Sequence, residues 1–250
     1  MDNNDLIKPF EETLYSAELQ DITIDFSEMA LDDLTKLFFE GTSDALLSFP
    51  IVKGIVALGK TVWNIQRAVS TRNQLTFIQS IKNERPNPIE IEKRKKALKN
   101  NEKWIQDEIE LTVVYLDRHT SVKKAKYQAK MYADLINGAI TFNEYQEYLA
   151  ILDQLIISDI NHFLETVLFV IQNQESFYNS ALVDQMAEHF DRTRCRRLES
   201  LGLLNGYITT RTGTSTIDRY APTEQGIYLY NILRENDSRY PSIQISDKKN

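Results

Sequence analysis

Cysteine is almost absent. A single residue, Cys195, stands in a chain of 250, which excludes an intramolecular disulfide framework and any multi-cysteine metal site and makes a reducing, cytoplasmic compartment the expectation. Histidine is nearly as scarce: His119, His162 and His189 are scattered singly, without the paired spacing of a metal motif, so neither a metal nor a cofactor is expected. Long apolar runs are missing as well. The most apolar stretch, Ala45 to Gly59, is interrupted by Pro50 and Lys53 and falls short of the roughly 20 residues that span a bilayer. Met1 to Gln20 is acidic and has neither the basic nor the apolar region of a secretory signal, so export and membrane insertion are not expected. Nor is there an excess of positive charge. The net charge of −7 repels nucleic acid and anionic lipid globally, so contact with either requires a local basic patch.

Glycine (8) and proline (6) are few, and between them the apolar residues recur at steps of three and four, the helical period. With 42% hydrophobic residues the chain can bury a core without staples, as one large domain or two small ones. Residues 1–26 read as a loose acidic lead-in, with a short extended piece where Ile22, Ile24 and Phe26 alternate with polar neighbours. Ser27 is placed to cap a helix from Glu28 to about Glu40, and a short helix follows at Ser43 to Ser48. From Pro50, the series Ile51, Ile55, Leu58, Val62, Ile65 and Val69 predicts one long buried helix as far as Ser70. A helix at Arg72 to Lys82 ends before Pro86 and Pro88, and the charged segment Ile89 to Lys103 reads as a solvated helix face over a thin apolar line. Four further helices are predicted at Trp104 to Arg118, Val122 to Asn137, Phe142 to Ile157 and Ile160 to about Gln174. Gly138 is set as a C-terminal cap, and Thr141 with Glu144 forms a capping box. The C-terminal third changes character: helices at Ser180 to His189 and Arg192 to Leu203, strands at Tyr207 to Arg211 and Ile217 to Ala221, and a last helix at Thr223 to Leu233.

Three motifs suggest chemistry and fail on context. Gly54 to Thr61 matches G-x-x-x-x-G-K-T, but its variable positions are Ile55, Val56, Ala57 and Leu58, in helical register with their neighbours. A phosphate loop needs an irregular turn between a strand and a helix, so a chance match inside a helix is expected and no enzyme is predicted. Val113 to Asp117 resembles a strand ending in a metal-binding aspartate but falls within a helical pattern. Leu135 to Tyr145 echoes half of an EF-hand, yet loop positions one and three would be Ala133 and Leu135, which cannot ligate calcium.

The string Thr193 to Leu204, TRCRRLESLGLL, followed by Tyr220 to Gly226, YAPTEQG, resembles winged-helix domains of bacterial transcription regulators. The likeness covers about Ser176 to Leu233 and implies a recognition helix, a β-wing and a closing helix; it departs from the pattern at Pro222, where an aliphatic residue is usual. It implies a DNA-contacting set of Arg192, Thr193, Arg194, Arg196 and Arg197 at the recognition helix, with Arg211 beside the wing. From Ser180 to Glu235 seven acidic residues balance seven arginines, whereas dedicated DNA readers are usually net basic; docking to a protein therefore stands beside DNA contact.

Residues 113–160 together with 46–66 resemble a family of uncharacterised helical proteins from Gram-positive bacteria and their mobile elements. That resemblance implies an architecture and no catalytic residues. The expected fold is mainly α, with a multi-helix domain over residues 27–174, a small α+β winged helix-turn-helix module over 175–236, and a frayed polar tail over 237–250. The expected function is a non-enzymatic DNA-binding regulator whose partner is double-stranded DNA, the helical domain serving as a sensing, docking or homodimerising body. The alternative is a protein-interaction or membrane-directed effector of a phage-defence or mobile-element system.

Overall fold

The computed structural model describes residues 4–15, 24–41, 44–173, 191–211, 214–235 and 237–243. Among them the protein is mainly helical, with one two-stranded antiparallel sheet. The chain forms two compact units, residues 1–153 and 154–250. The helix α10 (Ile157–Gln172), which the sequence pattern groups with the helical domain, packs instead with the elements that follow it.

In the first unit, α1 (Asn4–Leu14) occupies part of the expected loose lead-in and buries Phe10, Thr13 and Leu14. Thr13 reaches across to α4 (Pro50–Leu58), where its hydroxyl accepts from the Ile51 amide at 2.9 Å. That amide lies in the first turn of a helix, so Thr13 satisfies an orphan donor from a distance. Residues 24–26 are not a strand, and residues 21–23 of that expectation lie outside the described residues. Ser27 does not cap a helix either. Its amide and hydroxyl both donate to Asp25, and α2 (Leu31–Phe39) begins after Ala30.

The long helix expected from Pro50 to Ser70 is two helices. After α3 (Asp44–Leu47), α4 ends at Gly59, whose φ of 81° lies in the left-handed region that a residue with a Cβ rarely enters. A 3₁₀ turn, Lys60–Val62, follows, and Asn64 caps α5 (Ile65–Glu84) by accepting from the Arg67 amide. The break lets Trp63 turn to α2, where Phe38 and Phe39 meet its ring edge-on and Thr35 takes its indole N–H at 2.9 Å. The apolar run of α4 does enter the core through Ile51, Val52 and Ile55, but α5 (Ile65–Glu84) and the helix Val122–Asn137 each bury more residues.

The remaining helices are α6 (Pro88–Lys99), α7 (Lys103–Arg118), α8 (Val122–Asn137) and α9 (Phe142–Gln154). Gly138 closes α8 at φ 73°, and the Thr141–Glu144 capping box opens α9 with reciprocal bonds. The core here is partly polar. Asn73 of α5 donates to the carbonyls of Leu116 and His119, Gln128 of α8 donates to the Thr112 carbonyl, and the Tyr15 and Tyr132 hydroxyls meet at 2.9 Å. These bonds satisfy backbone and side-chain groups that would otherwise be buried unpaired. The charged helix α6 is likewise not a fully solvated face: Arg94 is buried and pairs with Glu108 of α7 at 3.0 Å.

The second unit runs α10, then α11 (Arg192–Ser200), β1 (Leu204–Arg211), β2 (Thr214–Pro222) and α12 (Glu224–Leu233). The helix expected at Ser180 to His189 lies outside the described residues. Asp191 caps α11 by accepting from the amides of Thr193 and Arg194. Gly202, at φ 74°, turns the chain into β1. The strands pair from Leu204↔Pro222 to Arg211↔Thr214, with an irregularity at Tyr207/Ile208. Thr223 caps α12, accepting from the Gly226 amide at 2.8 Å. Cys195, Leu198, Leu203, Leu204, Tyr220, Leu229 and Leu233 close the core with Phe163 and Val167 of α10. Residues 237–243, expected to fray, are tied down: Arg234 donates to the Tyr240 carbonyl, and Asn231 exchanges two bonds with Ile243.

Candidate nucleic-acid interface

On α11, Cys195 and Leu198 are the buried positions. The helical period therefore turns Thr193, Arg196, Arg197 and Ser200 outward, with Arg192 in the first turn, and all five are exposed. Of the residues predicted to touch DNA, five thus share one short helix. The sixth, Arg211, is the last residue of β1, paired across the strand end with Thr214.

The arginines have different surroundings. Arg194 pairs with the capping residue Asp191 at 3.4 Å, and both side chains are about half exposed. Arg197 reaches Asp159 at 3.2 Å and donates to the Gln154 carbonyl at 3.0 Å. Asp159 is 4% exposed, so this pair joins a surface cation to a buried carboxylate. Arg196 is exposed and stands near Tyr220, a buried ring of β2. Asp159 is not legible as a partner in the sequence, because it lies far along the chain from Arg197, the arginine it pairs with.

Beneath the arginines, Cys195 Sγ lies 3.5 Å from His162 Nε2. Burial pushes the thiol up to about 12 and holds His162 below its ordinary value. A thiol that stays protonated is not an activated nucleophile, and the pair reads as core packing. His119 belongs to the core of the other unit, and His189 lies outside the described residues. Among the described residues no group of three or more His, Cys, Asp or Glu is placed to hold a metal ion.

The G-x-x-x-x-G-K-T string lies on α4 and the turn after it. Gly54 to Leu58 is helical, no strand precedes it among the described residues, and Lys60 is paired with Glu40 at 3.0 Å. In the same unit an open groove of about 1210 Å³ runs beside α6 and the end of α8, with Ile89 and Trp104 exposed at its edge. Its charges answer one another: Glu90 pairs with Lys93 and Arg94, and Glu102 takes the Trp104 indole N–H at 2.7 Å. Among the described residues no single helix is long and apolar enough to cross a membrane.

Comparison with protein-family models, with curated proteins and with solved structures finds no match to this chain.

Proposed function

We propose that this protein is a non-enzymatic regulator that binds double-stranded DNA through α11, the β1–β2 hairpin and α12, used as a winged helix. The observation that carries the reading is the exposed, arginine-rich outer face of α11, presented by a helix that a hairpin and a further helix follow. A helix of this kind can enter a major groove and place guanidinium groups on phosphates or guanine edges. The likeness of Thr193 to Leu204 and Tyr220 to Gly226 to winged-helix regulators supports it. In this reading the helical unit senses a signal, docks a partner or holds two copies together.

The test is fluorescence anisotropy of a labelled random-sequence duplex titrated with the full chain at two salt concentrations. Beside it runs a variant with Arg192, Arg194 and Arg196 changed to alanine. Binding that weakens as salt rises and is lost in the variant is the expected result. Equal binding by the two proteins overturns the reading. A second reading, docking to a protein, is favoured by the balance of seven acids and seven arginines from Ser180 to Glu235. It predicts no duplex binding even at low salt.

A further inference from the structure

The arginines of α11 are not equivalent, and their partners sort them. Asp159 lies in the first turn of α10, where the helix dipole favours a carboxylate. With its side chain 4% exposed, it has left most of its hydration and needs a cation. Arg197 supplies that cation at 3.2 Å and at the same time donates to the Gln154 carbonyl, just ahead of α10. A guanidinium so engaged ties α11 to α10 through Asp159, holds the Gln154 carbonyl as well and has its charge balanced. Arg196 leaves the helix on another side. Its side chain is exposed, and among the described residues no carboxylate pairs with it. Among the described residues its guanidinium is thus open to an anion, where that of Arg197 is engaged.

Building on the DNA reading above, we propose that Arg197 is a positioning residue that clamps α11 onto α10 through Asp159, and that Arg196, exposed on the same helix, contacts a backbone phosphate of the duplex. The two roles make opposite predictions for charge release and for stability. A phosphate contact contributes about 0.9 to the slope of log affinity against log salt. A clamp contributes nothing to that slope but supports the fold.

The experiment measures the salt slope and the thermal midpoint of the full chain and of Arg196→Gln, Arg197→Gln, Arg197→Lys, Asp159→Asn and the Arg197→Gln/Asp159→Asn double variant. Arg196→Gln is expected to lower the slope by about 1 and leave the midpoint at the parent value. Arg197→Gln and Asp159→Asn are each expected to lower the midpoint, the double variant by less than the sum, because they break one interaction. Arg197→Lys keeps the charge but not both bonds, so its midpoint falls between. Should Arg197→Gln not fold, Arg197→Lys and Asp159→Asn decide the clamp. A parental slope in Arg196→Gln, or a lowered slope with an unchanged midpoint in Arg197→Lys, overturns the assignment. If the parent binds no duplex, the DNA reading and the Arg196 contact fall together. The clamp is then judged by the midpoints alone, and additive losses overturn it.

Discussion

Gly226 stands where the first turn of α12 meets the chain leaving Gly202. A Cβ built there would lie 2.1 Å from the Leu203 carbonyl oxygen, a backbone atom that cannot swing aside. Thr223 donates its own amide to that same carbonyl and caps α12 through the Gly226 amide, so the approach is held from both sides. Gly226→Ala is expected to destabilise the protein by about 1–3 kcal/mol, the usual cost of forcing atoms into a filled site. Urea denaturation checks it, and a midpoint equal to the parent's contradicts the packing described. His119 offers a second test at this scale. It is 1% exposed, its Nε2 meets Gln128 Oε1 at 2.8 Å, and the Gln128 amide is fixed by the Thr112 carbonyl. Burial above all, then the nearby Lys124, lowers its pKa from 6.5 to about 4. The unfolded chain therefore binds a proton that the folded chain refuses between those values. The stability that depends on neutral His119 is complete above 6.5, falls as the pH drops towards 4, and then levels off. The shift corresponds to about 3 kcal/mol. The difference in unfolding free energy between the parent and His119→Gln is expected to shrink across that window as the pH falls, and a constant difference excludes the buried neutral ring.

Helix α6 shows what a pattern of charges leaves open at the scale of an element. Its run of lysines, glutamates and Arg94 has the look of a solvated face, and Lys93 and Lys95 do pair with Glu90 and Glu92 at the surface. Arg94 does not stay outside. Its side chain is 7% exposed, Glu108 on α7 is 4% exposed, and Nη2 also approaches the Leu135 carbonyl at 3.4 Å. A lone charge in that position is costly, so Arg94→Met should lose about 3–5 kcal/mol by stranding Glu108. Arg94→Met with Glu108→Leu should lose less than Arg94→Met alone, since both charges then leave the core. Equal losses would mean that the arginine acts through packing alone. The junction of α4 and α5 follows the same logic in backbone terms. Apolar spacing runs through Gly59 without a gap, yet Gly59 adopts a left-handed conformation and Asn64 caps a new helix. Both residues permit a break, but only the seating of Trp63 against Thr35, Phe38 and Phe39 requires one.

Across the whole molecule the net charge of −7 opposes a polyanion while the outer face of α11 invites one. In the proposed reading, DNA contact through this face works locally and is sensitive to salt. The division into residues 1–153 and 154–250 carries its own expectation. In calorimetry the chain should depart from a single two-state transition. Gly226→Ala should then move only the component from the second unit and Arg94→Met only that from the first. One transition shifted alike by both variants would show that the units unfold as one.

Much of this architecture was legible in local sequence. The span of α8, its Gly138 cap and the Thr141–Glu144 box that opens α9 agree with the pattern because each depends on residues within a turn of one another. The helix of α11, the turn at Gly202, the hairpin and the Thr223 cap of α12 follow for the same reason. The sequence by itself therefore determined the helical character of the chain, most helix ends and the clustering of arginines on one short helix. Tertiary structure alone decided which polar residues are buried: Asn73 and Gln128 in the first core, Arg94 with Glu108, and Asp159 beneath the exposed Arg197. It also decided that α10 joins the second unit and that α1 and residues 237–243 are packed rather than loose. The physical reason is common to all of these. A cap or a turn is satisfied by its neighbours along the chain, whereas a polar group can be buried only when the fold brings it a partner from elsewhere in the chain.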